Sequence, residues 1–407
     1  MSRPLSHIRV LDLTRVLAGP WASQNLADLG AEVIKIERPG SGDDTRDWGP
    51  PFLRDRAGKE TRESAYFLSV NRGKKSVTLD ISKPAGAEIA RKLAAKSDVL
   101  IENYKVGGLA KYGLGYEDLK SSNPRIIYCS VTGYGQSGPC SHLPGYDFIF
   151  QGMGGLMSIT GERDELPGGG PQKVGIAVTD VMAGMYASLA ITGAIAHRER
   201  TGQGQYIDIA LLDTIVAFGA NQIFNYFHSG TVPKRWGNAH PNLLPYEVFA
   251  TADGQLILGA GNDSQWASFC AAAERPELAL DSRFKTMPDR IRSRAALIPI
   301  VQEIMKRRSN RDWIARFEVA NVPCGPINNY KEVFEDPQVR HRGLKIEMPH
   351  PLSGTMAGVA SPMRLSETPV TYDMPPPLLG QHTQEVLSGL LGMSDGELDR
   401  LAARKII

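Results

Sequence analysis

Short apolar runs and stretches of helical period alternate along the first half of the chain. IRVLDL at 8–13 is a compact apolar run, GPWASQNLADLG has helical spacing, and AEVIKIE returns to a strand-like pattern. Such a strand, helix, strand unit is expected to pair in parallel. KSVTLDI, a helix over 83–95 behind Ser-Lys-Pro, DVLIENY and RIIYCSVTG extend the alternation. The pattern predicts an α/β fold with an open, mostly parallel sheet.

Further along, residues 180–200 have helical period and end in basic residues, with Gly202 just beyond as helix C-termini favour. QYIDIALLDTIVAFGANQIFNYF reads as a strand running into a second apolar helix. Over 233–245 the composition shifts to Pro, Gly, Asn and His, marking a boundary or a binding loop. A hairpin around Asp253-Gly254 and helices near 263–273, 289–307 and 310–320 predict a smaller α+β unit. From 323 the chain is irregular and proline-rich, with a strand at LKIEM and a closing helix near 383–391; no internal repeat is visible. A chain of 407 residues exceeds what one core usually holds, so two domains are expected.

Charge and cysteine usage narrow the partners. Forty-six Lys and Arg against 44 Asp and Glu leave a net charge of +2, so no whole-protein field attracts nucleic acid or an anionic membrane. Cys129, Cys140, Cys270 and Cys324 are scattered without a CxxC pair, which indicates neither a disulfide framework nor a zinc site. The N-terminal stretch lacks a signal peptide's uninterrupted apolar core, and no later run reaches the roughly 18 apolar residues of a membrane span. A cytoplasmic enzyme is expected, or an organelle-matrix one whose targeting piece is missing.

Several motifs point away from familiar chemistries. GYGQSG at 133–138 is a literal GxGxxG after a strand, but Pro139, Cys140 and Pro144 follow where a dinucleotide fingerprint must open a helix, so a turn is expected and NAD is not. GxSxG on a strand-to-helix elbow with Asp and His downstream is absent, and the eight histidines show no metal-binding spacing, so no metal is expected. Arg38, Arg46, Lys111 and Arg235 are each ordinary surface cations taken singly; Arg38 and Asn103, however, fall at the carboxyl ends of predicted parallel strands, where open α/β sheets bind ligands. Asp180 reads as the N-cap of the helix that follows it, and a carboxylate held ionised by a helix N-terminus is also a nucleophile.

VLDLTRVLAGPWASQNLADLGAEVIKIERPGSGDD, NRGKKSVTLD, ENY with GLGYEDL, IIYCSVTGYGQSGP, PGYDFIFQ, TDVMAGMYA, RTGQGQYIDIAL and PLLGQHT together resemble the class III CoA-transferase family, also called CaiB/BaiF. The resemblance spans nearly the whole chain. GDDTRDWGPPF, RWGNAHPNLLPYEVF and CGPINN are most similar to the family's succinyl-CoA:glutarate (hydroxymethylglutarate) branch. It implies a large Rossmann-like CoA-binding domain over 1–224, completed by 326–407, a smaller inserted domain over 225–325, and an interlocked homodimer. Asp180 takes the position of the family's catalytic aspartate. Val16, Leu17 and Ala18 then line the thioester, Arg38 and Lys111 meet the nucleotide phosphates, Leu79, Asn103 and Tyr104 hold the CoA arm, and Tyr146 and Trp48 lie near the acyl group.

By the same resemblance, Asp180 attacks an acyl-CoA thioester to give an aspartyl anhydride and CoA thiolate, which returns to form an aspartyl-CoA thioester open to an acceptor carboxylate. The only cofactor-like species is coenzyme A itself, as substrate. Thr179, Ala183 and Gly184 are expected to leave room for the thioester and to let backbone N–H groups approach an oxyanion. Leu17 stands where formyl-CoA transferases carry glutamine, and Gly237, Asn238, Ala239 and His240 replace their glycine run, which argues against oxalate and formate. Arg46, Arg235 and His240 are expected around a distal carboxylate, although His240 also reads as an ordinary loop residue. The alternatives are a CoA-transferase for another acid of carnitine, mesaconate or oxalate type, an α-methylacyl-CoA racemase, and a silent acyl-CoA-binding subunit. Racemases of this fold carry histidine where Tyr146 stands, and a phenol with a pKa near 10 is a poor base.

Overall fold

The protein is described by a computed structural model covering residues 3–407. Its contacts divide it into two units: residues 1–156, 173–230 and 338–407 in the larger, and 157–172 and 231–337 in the smaller. The joint leading into the long stretch of the smaller unit falls at Gly230, whose left-handed φ of 68° ends the helix Ala220–Ser229, a few residues after the 224/225 boundary read from the sequence. Residues 157–172 also join the smaller unit, a long-range association that local pattern cannot reveal.

A six-stranded parallel sheet organises the larger unit: β1 (Arg9–Asp12), β2 (Glu32–Glu37), β3 (Lys74–Thr78), β4 (Val99–Glu102), β5 (Ile127–Thr132) and β6 (Tyr206–Ala210). Their spatial order is 3-2-1-4-5-6, every neighbour parallel. Strand order reverses between β1 and β4, and the crevice beyond their carboxyl ends is where such sheets bind ligands.

Because successive strand residues face opposite sides, a sheet covered on both faces needs apolar residues at every position. Val10, Val33, Ile101 and Cys129 face one side, where they pack with α1 (Ala18–Asp28) and α3 (Val178–Thr201). Leu11, Ile34, Leu100 and Tyr128 face the other, against Ile89 and Leu93 of the helix Pro84–Ala95 and Leu387 and Leu401 near the C-terminus. The chain end thus completes the first domain's second layer. The last helix, Asp395–Ala403, opens with a capping box in which the Ser394 N–H donates to Glu397 Oε2 at 2.8 Å. That signal stands in the sequence as Ser-Asp-Gly-Glu, and the pattern reading stopped one helix short of it.

α3 is 24 residues long and apolar enough to cross a membrane, contrary to the expectation that no segment is. Half of its most apolar window is buried, and Ala183, Ala187 and Ile191 belong to the sheet-covering core. A Cβ on Gly184 would lie 2.6 Å from the Ala18 carbonyl oxygen, so glycine there lets α1 and α3 approach backbone to backbone. Thr179 and Ala183 are fully buried too. These small residues therefore serve helix packing; the room for a thioester expected beside them is not what they supply.

The smaller unit is built on a three-stranded antiparallel sheet, Cys324–Gly325, Gln255–Gly259 and Tyr246–Ala250 in spatial order. The hairpin at Asp253-Gly254 forms as read. Trp266, Phe269, Phe284, Trp313 and Phe317 fill its core. The helix expected over 289–307 is divided into Met287–Arg292 and Arg294–Met305, joined at Ser293.

Candidate active site

Two pockets open at the switch point of the parallel sheet. One, of about 240 Å³, is lined by Val16, Leu17 and Ala18 after β1, Asn103 and Tyr104 after β4, and Tyr146 and Asp180. The other, of about 390 Å³, includes Arg38 and Leu79. Both are bounded by Arg15 and Tyr104, so they adjoin. The structure thereby brings eight residues singled out for coenzyme A to one edge of the sheet, together with Asp180. The ninth, Lys111, is exposed with its Nζ 4.8 Å from the ring centre of Tyr112, itself a lining residue of the larger pocket.

The turn at Val16 has an unusual backbone. Its φ of 72° is left-handed, a conformation strained for a β-branched residue. Surrounding bonds impose it. The Val16 N–H donates to Asp43 Oδ1 at 3.2 Å, the Arg15 N–H donates to Asn103 Oδ1 at 3.0 Å, and Asn103 Nδ2 donates back to the Arg15 carbonyl at 2.7 Å. Asn103 thus clamps the turn rather than offering its amide to a ligand. Asp43 is anchored in turn by Lys35 at 2.8 Å. Burial alone would raise the Asp43 carboxyl, but Lys35 and the Thr45 hydrogen bonds overcome it and hold the group at about 2.

Asp180 is not the N-cap. α3 begins at Val178 with Ala177 in the cap position, which places Asp180 third in the helix with its carboxyl lining the smaller pocket. Nor is its carboxyl simply held ionised by the helix. Burial raises it, the nearby Asp147 carboxylate raises it further, and it stands at about 7 instead of 3.8. Perturbed carboxyls in clefts mark functional sites.

Tyr66, which sequence reading passed over, belongs to the same neighbourhood. Its phenol is raised to about 12 by burial and then by the Asp180, Asp147 and Asp43 charges. Trp48, 42% exposed, meets the Tyr66 ring edge-on at 5.1 Å. No sequence motif distinguishes Tyr66, whereas Asp147 stands beside Tyr146 in PGYDFIFQ and was assigned no role.

Arg46 does something other than what was expected of it. Its guanidinium is 4% exposed and donates to Glu37 Oε2 and Oε1, both at 2.8 Å, to Glu63 Oε2 at 2.9 Å and to the Pro377 carbonyl at 3.1 Å, and it lies 3.6 Å above the Phe67 ring. No face remains for a substrate carboxylate. Arg46 is the hub of a buried ion network.

The other residues expected around the acyl group, Arg235, Gly237, Asn238 and His240, belong to the smaller unit and none lines the pocket that holds Asp180. Arg235 Nη1 donates to the Ser158 carbonyl at 2.9 Å, and Nη2 pairs with Asp164. Gly237 takes a φ of 59°, and a Cβ there would lie 2.6 Å from Glu162 Oε1. Asn238 is exposed. His240 Nδ1 accepts the Asn242 N–H at 3.0 Å, leaving its proton on Nε2, and burial followed by the Arg294 charge lowers its pKa. It is therefore a neutral donor at neutral pH, not the cation a charge-paired carboxylate contact calls for.

The sequence profile of CoA-transferase family III matches residues 5–383. The chain belongs to that family. It is 48% identical over 387 residues to a succinate–glutarate CoA-transferase of Agrobacterium fabrum, covering 95% of this chain and 96% of that one. The human succinyl-CoA:glutarate CoA-transferase is 45% identical over 405 residues, covering all of this chain and 90% of the relative. Among solved structures, a CaiB/BaiF family protein from Brucella suis superposes with a TM-score of 0.83 at 45% identity, covering 96% of this chain and all of that one.

Proposed function

We propose that this CoA-transferase moves coenzyme A from succinyl-CoA to glutarate or hydroxymethylglutarate, with Asp180 as the covalent nucleophile. One observation carries the mechanistic reading: Asp180 lines the switch-point cavity, and its carboxyl, raised by burial and by the Asp147 charge, has no ion-pair partner among the described residues. The choice of acids rests on the substrates named for the relatives above. An Asp180 oxygen attacks the thioester carbonyl, the C–S bond breaks, and CoA thiolate leaves behind a succinyl-aspartyl anhydride. The thiolate then attacks the aspartyl carbonyl, expelling succinate and giving an aspartyl-CoA thioester. Glutarate attacks that thioester to form a second anhydride, and the thiolate, adding to its glutaryl carbonyl, releases glutaryl-CoA and free Asp180.

The pocket containing Arg38 and Leu79 takes the nucleotide end of coenzyme A, and the smaller pocket takes the thioester. Arg235 is our candidate for a substrate carboxylate, in competition with Asp164; Arg235→Ala is expected to raise KM for glutarate about tenfold, and an unchanged KM removes it from the site. The enzyme works as a soluble homodimer. Phe148, Ile149, Met153, Leu189, Phe224 and Phe227 are 45–68% exposed on the larger unit, an apolar surface that a second copy covers. Light scattering at micromolar concentration tests the dimer.

For the reaction itself, the test is a panel of carboxylic acids incubated with succinyl-CoA. Glutaryl-CoA and an adduct on the peptide containing Asp180 are expected in the mass spectrum. Transfer to glutarate without any such adduct refutes the covalent step.

A further inference from the structure

Asp147 is the first residue of α2 (Asp147–Met153) and is 9% exposed. Its Oδ1 accepts the backbone N–H of Thr179, the residue before Asp180, at 2.7 Å. Its Oδ2 accepts Gln151 Nε2–H at 2.6 Å, from one helical turn further along the same face. Gln151, fully buried, reaches the same segment twice more: its Nε2 donates to the Ile176 carbonyl at 3.2 Å and its Oε1 accepts the Val174 N–H at 2.8 Å. One carboxylate and one amide thus bind the chain at residues 174, 176 and 179, immediately before the nucleophile. α3 has no side-chain cap of its own at Ala177, so this clamp fixes its first turn.

We propose that Asp147, with Gln151, is a positioning residue for the transfer reaction: it holds the turn that aims the Asp180 carboxyl into the cavity and sets the negative field in which that carboxyl reacts. The inference rests on the reading of Asp180 as the acyl acceptor. Its chemical consequence lies in the first step. Free Asp180 is a carboxylate beside a carboxylate, whereas the anhydride formed from it is neutral, its negative charge having departed on the CoA sulfur. Acylation therefore relieves the repulsion between the two residues, and the Asp147 charge favours it. Tyr66, from the helix Ala65–Ser69, also faces Asp180, while Arg15, Asp44, Lys105 and His142 line the same cavity. None of these is altered by the substitutions below.

Three variants separate the two roles. Asp147→Asn keeps an oxygen for the Thr179 N–H but removes the charge; the acidic limb of kcat/KM is expected to move down by about one pH unit, with a lower kcat at pH 8 and little change in KM. Gln151→Ala keeps the charge and loosens the segment, so kcat should fall about tenfold with the limb in place. Asp147→Ala loses both contacts, and a fall of about a hundredfold in kcat follows from a misaimed nucleophile. If Asp147→Ala fails to fold, the other two still decide the matter. Wild-type kcat and an unmoved acidic limb in Asp147→Asn and Gln151→Ala, with Asp180→Ala inactive, overturn the inference and leave the Asp180 reading intact. Full exchange activity in Asp180→Ala overturns both.

Discussion

Two groups of carboxylates lie at the same end of the parallel sheet, and they have opposite characters. Under β1, β2 and β3, Asp12 and Lys74 lie 3.3 Å apart, Asp43 and Lys35 2.8 Å, and Glu37 and Arg46 2.8 Å, all of them buried. Burial is the largest influence on each of these three acids and would raise it, but the neighbouring cations and hydrogen bonds together outweigh it and hold each below its ordinary value. On the other side of the switch point, Asp180 has an acid for a neighbour, and Glu102, buried with only Ser130 and the Tyr104 N–H as partners, also rises to about 7. Burial is common to both groups. The cations and hydrogen bonds around the first group keep it ionised, whereas Asp180 and Glu102 are left to the effect of burial.

Removing Asp180, the proposed nucleophile, gives the largest expected effect. Asp180→Ala should lower the rate of CoA exchange about a thousandfold or more while leaving the fold intact, as assayed by product thioester formation and circular dichroism. Arg46→Met does the reverse. It leaves Glu37 and Glu63 without their buried partner, and a loss of about 3–5 kcal/mol is expected in denaturant unfolding. Near-normal stability with a raised KM for glutarate would return Arg46 to the substrate site and dissolve the contrast.

A smaller effect tests the paired group by pH. The Asp43 carboxyl titrates lower folded than unfolded, so its contribution is present above about pH 4 and disappears as pH falls through about 2; Asp43→Asn should cost about 2 kcal/mol or more at pH 7 and progressively less in acid. The unpaired group has the opposite sign. The Asp180 carboxyl titrates higher folded than unfolded, so the native state retains a proton between about pH 4 and 7 and loses stability as pH rises through that window. Asp180→Asn is therefore expected to be more stable than wild type by on the order of 1–3 kcal/mol at pH 8, and no more stable at pH 4. A pH-independent difference in thermal melts refutes that reading.

Much of the fold was legible because local pattern suffices for it. Val10 and Leu11 face opposite layers, and both are apolar because both layers exist. α3 ends at Gly202, in left-handed conformation with φ 79°, where the glycine after Arg198 and Arg200 announced it. The location of Arg38 and Asn103 at strand ends was likewise readable from periodicity alone. What lay beyond reach were pairings between distant residues. Arg46 and Arg235 look alike in sequence, and nothing local says that Glu63 and Pro377 enclose the first while Asp164 meets the second.

Sequence alone was enough for the alternating sheet, the order of its elements and the family, and through the family resemblance it singled out Asp180 as the proposed nucleophile. The sheet and its order follow from periodicity, while the family and the candidacy of Asp180 follow from motifs carried on contiguous segments. Tertiary structure alone decided which charges are neutralised, that Asp147 and Gln151 grip the turn before Asp180, and that the Asp180 carboxyl is raised to about 7. A proton's affinity is set by the solvent a site excludes and the charges a few ångströms away, and both depend on residues that only folding brings together.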